Sequence, residues 1–129
     1  MRDDFNKPTK DLLAKQAGHR CAHPNCGKPT SGANESGTGA ISIGVAAHIT
    51  AASAGGPRYD PTLTSEQRKN ASNGIWLCQD HAHAVDVDDS SFSAETLRTW
   101  KRQAQVRSLQ ALMAGMAGAG ASPGFLIDA

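Results

Sequence analysis

Two short pairs of soft ligands, Cys21-x4-Cys26 and Cys78-x2-His81, stand far apart in a chain of 129 residues. Sulfur and imidazole donors taken in fours match the tetrahedral shell of Zn2+, and structural sites of the Cys3His kind close that shell against substrate. The spacing therefore predicts one structural zinc that uses all 3 cysteines of the chain. Such a staple closes everything between the pairs into one loop anchored at both ends. That loop carries His48, Asn73 and the turn Gly55-Gly56-Pro57-Arg58, so the chemistry of the molecule is sought there.

The competing reading of the cysteines is that of free thiols buried as small apolar groups. A disulfide framework is disfavoured by the odd count and by the polar opening Met1-Arg2-Asp3-Asp4, which has no secretory character. These features point to a reducing compartment, and the chain is expected to be cytoplasmic, with no membrane partner.

The length suits one small domain, and 5% aromatic residues with 13 glycines promise a thin apolar core that a metal would reinforce. A formal net charge of +1 gives no global footprint of a phosphate binder, so local clusters must supply one. Arg58, Arg68 and Lys69 lie in the anchored loop, and Arg98, Lys101, Arg102 and Arg107 lie on a later helix. Both sets are equally readable as solvated faces.

Along the chain, a first short helix is expected with Thr9 as N-cap and Gly18 as left-handed stop. The polar, Gly/Ser/Asn-rich segment 31–39 reads as a loop. Residues 40–49 alternate with strand period and leave His48 at the strand's exit, while two prolines and two glycines make 54–61 a loop. Ser65 is expected to cap a brief helix through Lys69, Asn73-Gly74 to turn, and Ile75-Trp76-Leu77 to run as a buried strand into Cys78. A helix near Asp80 ends in the acidic stretch 86–89. Ser93 then caps a longer helix with Leu97, Trp100 and Ala104 on one face, laid over the zinc module. Residues 109–129 form an apolar Gly/Ala-rich tail beyond a domain of residues 1–108. Its apolar run, Ala111 to Ala121, is too short to span a bilayer, and the tail reads either as an association segment or as a connector.

Taken together, Cys21-x4-Cys26, Ala47-His48-Ile49 and Asn73-Gly74-Ile75-Trp76-Leu77-Cys78-x2-His81 resemble the HNH endonucleases. The likeness covers about residues 10–105 and is strongest to the HNH nuclease domains of bacterial antiphage effectors, including those fused to SAVED sensor domains. It implies an α+β fold: a ββα-metal core with a Cys3His structural zinc site, flanked by N- and C-terminal helices. It also implies a DNA endonuclease with His48 as general base and Asn73 bracing the loop that carries it.

Many members of that family hold a catalytic cation with ligands that fall here on Ala47 and Ala82. The cation, Mg2+ or another divalent ion, is therefore assigned to Asp86, one helical turn beyond Ala82, with His83 as second candidate. A swapped assignment stays open, in which His81 and His83 serve that cation while His23 or His19 completes the zinc site. In it, the ring of His23 leaves the water it is otherwise expected to face.

Double-stranded DNA is the expected partner, with Arg58 clamping a phosphate and Arg68 and Lys69 adding charge. Cutting both strands would call for a homo-oligomer or an associated sensor domain. The alternative is a catalytically silent, zinc-stapled module that binds nucleic acid or protein.

Overall fold

The computed structural model describes residues 2–121, with side chains through 117. The fold is a small α+β arrangement with two antiparallel two-stranded sheets. Its elements are α1 (Lys7–Gln16), β1 (Ser31–Ala33), β2 (Ala40–Ser42), β3 (Gly44–His48), α2 (Ser65–Lys69), β4 (Gly74–Cys78), α3 (Gln79–Val87) and α4 (Ala94–Ala121). No helix among the described residues is long and apolar enough to cross a membrane.

The first helix starts earlier than the sequence suggests. Asn6, not Thr9, is the N-cap: its Oδ1 accepts from the Thr9 N–H at 2.9 Å, and Pro8 sits in the first turn, where its missing N–H costs nothing. Ala17 occupies the C-cap, and Gly18 follows in the left-handed region at φ 64°. Likewise Thr64, not Ser65, caps α2, because Thr64 and Gln67 form a reciprocal capping box that Ser65 has no partner to match.

The segment expected to be a plain loop is largely a hairpin, with Ser31↔Ser42, Gly32↔Ile41 and Ala33↔Ala40 in register. Its tip is organised by Asn34, whose Oδ1 accepts from the backbone N–H groups of Thr38 and Gly39, each at 3.1 Å. The single strand expected over 40–49 is split at Ile43. There the backbone turns to donate to the Thr30 carbonyl at 2.7 Å and to accept from the Gln79 N–H at 3.1 Å. Those two bonds tie the first knuckle to the start of α3.

The second sheet, β3 with β4, runs from Gly44↔Cys78 to His48↔Gly74. Its ends are about 14 Å apart at ordinary strand rise. Ile75 and Leu77 are completely buried, and with Val85 and Leu97 they form the centre of a core that also contains Cys21 and Cys78. The expected face of α4 is laid on this core: Leu97 and Ala104 are buried in it and Trp100 packs at its edge. The Ser93 hydroxyl caps α4 by accepting from the Thr96 N–H at 3.1 Å.

Beyond residue 108 the backbone continues as α4 without a break, carrying Leu109, Leu112, Met113 and Met116 exposed. The part of the expected tail from 122 to 129 lies outside the described residues.

Two tertiary contacts hold the ribbon in place. Lys101 Nζ donates to the carbonyls of Ala71 and Gly74, at 3.0 and 2.6 Å, and ties α4 to the start of β4. Burial pulls its pKa down to about 8, so this lysine is an internal prop and not part of a basic surface. Trp76 lies across Gly44, held there by its Nε1–H donating to Thr30 Oγ1 at 2.9 Å. A Cβ at position 44 would fall on the Trp76 ring. Gly44→Ala should therefore destabilise the protein by about 1–3 kcal/mol through overpacking, measured by denaturant unfolding. An unchanged midpoint would contradict the packing of Trp76 on Gly44.

Candidate metal centre and adjoining cleft

The ligand atoms of Cys21, Cys26, Cys78 and His81 all lie within 4.8 Å of one another. His81 Nδ1 is 3.5 Å from Cys21 Sγ and 3.3 Å from Cys78 Sγ. A zinc tetrahedron built with ordinary bond lengths has nitrogen–sulfur edges of about 3.6 Å and sulfur–sulfur edges of about 3.8 Å. The donor set thus fits one metal ion such as zinc in both chemistry and spacing. Local structure explains the convergence. The first pair sits on the turn after α1, closed by Cys26 N–H donating to the His23 carbonyl at 3.0 Å, and Ala22 N–H donates to the Trp76 carbonyl at 2.9 Å. The second pair is the end of β4 and the first turn of α3, which puts Cys78 and His81 on one side.

Burial pushes the Cys21 thiol up to about 12, so it is neutral until a metal displaces its proton. His23 is partly exposed, with its ring packed against two neighbours. Its ring stacks on that of His81 at 4.1 Å between centroids and tilts against Trp100 at 4.6 Å, which supports the imidazole of His81 from behind. Among the described residues, no other group of three or more such ligands comes together, so neither His23 nor His19 joins the sulfur cluster.

The other end of the ribbon opens on a cleft of about 370 Å3. His48, His83, Asp86 and Arg58 line it, together with Ala47, Ala82 and Arg2. β3 delivers His48, whereas α3, packed back along the ribbon through Ala82 and Val85, delivers His83 and Asp86, both exposed. His48 Nε2 lies 2.9 Å from the carbonyl oxygen of Asp3, which can only accept, so Nε2 carries the proton. Nδ1 is then the free nitrogen, with no partner among the described residues. The ring is stacked on Phe5, centroids 3.9 Å apart and planes 8° apart. Burial lowers its pKa below the ordinary 6.5, outweighing the opposing effect of the Asp3 carbonyl.

Asn73 is buried under the ribbon's end, and its carboxamide makes four hydrogen bonds. Oδ1 accepts from the N–H and the hydroxyl of Thr50, both at 3.0 Å. Nδ2 donates to the carbonyls of Thr50 at 3.0 Å and Arg68 at 3.1 Å. The chain leaving His48 is thereby fastened to the entry of β4.

The three basic residues expected to meet phosphate do not form one patch. Arg58 lines the cleft, but its Nε donates to the Ile49 carbonyl at 2.6 Å and its Nη1 to those of Val85 at 2.8 Å and Phe92 at 3.3 Å. These bonds hold its backbone in the left-handed region at φ 59° and clamp the loop, α3 and the approach to α4 together. Only Nη2 is left without a partner among the described residues. Arg68 does not line the cleft. Its side chain is 11% exposed and faces Asp3, Tyr59 and Asp60. Lys69 is on the surface, 3.4 Å from Glu66.

Sequence reasoning missed Asp3 and Phe5, which lie outside the anchored loop and reach His48 only through the fold. It also missed Arg2 at the cleft's rim. Compared with protein-family models and with curated proteins, the chain matches none.

Metal analysis of purified protein should find about one tightly held zinc per chain, with Cys26→Ser losing both the metal and the cooperative unfolding transition. A folded, metal-free Cys26→Ser protein would count against the staple.

Proposed function

We propose that the protein is a metal-dependent endonuclease of the HNH type, a ββα-metal fold in which β3, β4 and α3 form the catalytic unit and DNA is the substrate. The observation that carries this reading is the pairing at one cleft of a tautomerically defined imidazole, His48, with an oxygen and a nitrogen donor, Asp86 and His83.

Asp86 and His83 would hold the divalent cation. Asp86 is a hard oxygen donor suited to Mg2+ or Mn2+, ions that keep several waters and share substrate phosphates, whereas His83 favours softer ions such as Ni2+. When bound, the cation supplies charge neutralisation on the leaving oxygen and a more acidic water.

The remaining work falls to the chain. His48 accepts the proton of the attacking water at Nδ1, while Nε2–H stays on the Asp3 carbonyl and fixes the ring's orientation. Asn73 keeps the backbone beyond His48 from shifting. Arg58 Nη2 offers a contact to a phosphate at the cleft's wall. The defensive role implied by the sequence likeness, and an association of two centres for double-strand cleavage, are part of the same proposal.

The alanines at 47 and 82 favour one other reading, since they take two lining positions where a further metal ligand would strengthen the site. In that reading the protein is a zinc-stapled binding module without catalysis.

Plasmid nicking with added Mg2+, Mn2+ or Ni2+ separates the two. His48→Ala should slow nicking by about a hundredfold or more, the usual weight of a general base. No nicking by wild type with any of the three metals supports the binding module instead.

The pH dependence carries a sign. Because the His48 pKa lies below 6.5, the ring remains an unprotonated base as pH falls through 6.5 and is lost only lower. The acid limb of the rate profile should have its midpoint below 6.5, and a midpoint above that value would contradict the assignment.

A further inference from the structure

The extended segment ahead of α1 is strapped across the ribbon's end by contacts that converge on His48. Asp3 N–H donates to the Ala52 carbonyl at 3.0 Å, Asp3 O accepts from His48 Nε2, and Phe5, 4% exposed, stacks on the same ring. The side chain of Asp3 points elsewhere, to Arg68 Nη1 at 3.5 Å, in a pair whose members are 14% and 11% exposed. Arg68 is itself held over the Tyr59 ring, its Cζ 4.8 Å from the centroid, and its Nη2 donates to the Tyr59 hydroxyl at 3.1 Å and the Asp60 carbonyl at 3.2 Å. Its Nε is buried with no partner among the described residues.

A buried ion pair with an unmet donor contributes little net stability, because desolvation offsets the attraction. What such a pair does supply is a fixed position for the backbone that carries it. We infer that the Asp3–Arg68 pair is a positioning device: it holds the N-terminal strap so that the Asp3 carbonyl and the Phe5 ring set the tautomer and plane of His48. Asp3, Phe5 and Arg68 are positioning residues, acting only through His48. The catalytic consequence of this inference rests on the nuclease reading above, whereas the tautomer it specifies does not.

The test uses the zinc-loaded full chain with Asp3→Asn, Arg68→Gln and the double substitution, and with Asp11→Asn as control, which breaks only an exposed pair with Lys7. The first readout is the His48 ring tautomer by nitrogen-15 NMR. Wild type and Asp11→Asn should show Nε2–H, and the strap variants a mixture, with zinc content unchanged. The second is metal-dependent nicking, in which each strap variant should lower kcat by about ten- to a hundredfold at unchanged KM, the scale of small misplacements of a reacting group. The double variant should be no slower than the slower single one, since both remove the same contact.

A pure Nε2–H tautomer in all variants overturns the inference, and so does a double variant with fully additive losses. Absence of nicking by wild type removes the nuclease reading, and the tautomer shift then decides the positioning role alone. Arg68→Lys should recover part of the lost rate, because an ammonium can still meet Asp3 but cannot also reach Tyr59 and Asp60. A strap variant that has lost its zinc is replaced in the comparison by Phe5→Leu, which keeps an apolar side chain and removes only the ring stack.

Discussion

The convergence of two distant knuckles on one point of the core is the constraint from which the remaining geometry follows. Cys21 and Cys78 are as buried as the leucines around them; burial disfavours the Cys21 thiolate, whereas at Cys78 burial is outweighed by the surrounding hydrogen bonds, which lower the thiol's pKa. A cation that displaces the thiol protons would convert the Cys21 penalty into bonding, because four converging donors would share one charge. In a chain with few aromatics, the centre substitutes for apolar volume that the sequence does not contain. Together with the backbone bond from Ala22 N–H to the Trp76 carbonyl, it would tie the turn after α1 to the end of β4.

From that anchor the β3–β4 ribbon acts as a spacer. Cys78 and His48 stand at its opposite ends, so a metal held at one end would brace the cleft at the other without taking part in it. The helix that carries His81 in its first turn, at the sulfur cluster, continues to His83 and Asp86 at the cleft, which makes α3 a link between the two. The Cys3His cluster and the open cleft are thereby kept apart on a very small scaffold.

Three of the cations in this molecule are turned inward. Arg58, Arg68 and Lys101 read in the sequence as surface cations, yet each donates to backbone carbonyls in loops or near the ends of strands and helices. A guanidinium or ammonium can meet two or three carbonyls at once, which suits long connections such as residues 49–73. The cost is desolvation, visible in the lowered pKa of Arg58 and Lys101. Electrostatic contact with a nucleic acid would consequently depend on fewer cations than the composition suggests.

Ligand type and periodicity alone made several parts legible: the Cys3His set, the strand into Cys78, the exit position of His48 and the covering face of α4. Each depends on residues whose chemistry or spacing acts locally or has few alternatives. Helix starts at Asn6 and Thr64 escaped, since several neighbouring side chains can cap and only the backbone geometry chooses among them. The split at Ile43 escaped because its partners, Thr30 and Gln79, are distant in the chain, and the hairpin at Ser31–Ser42 escaped because its first strand, Ser31-Gly32-Ala33, is made of small residues with no apolar alternation. The strap over His48 was beyond any local reading. Its hydrogen bond uses a main-chain carbonyl, which every residue possesses, and only the folded path of the chain decides that Asp3 is the one to supply it.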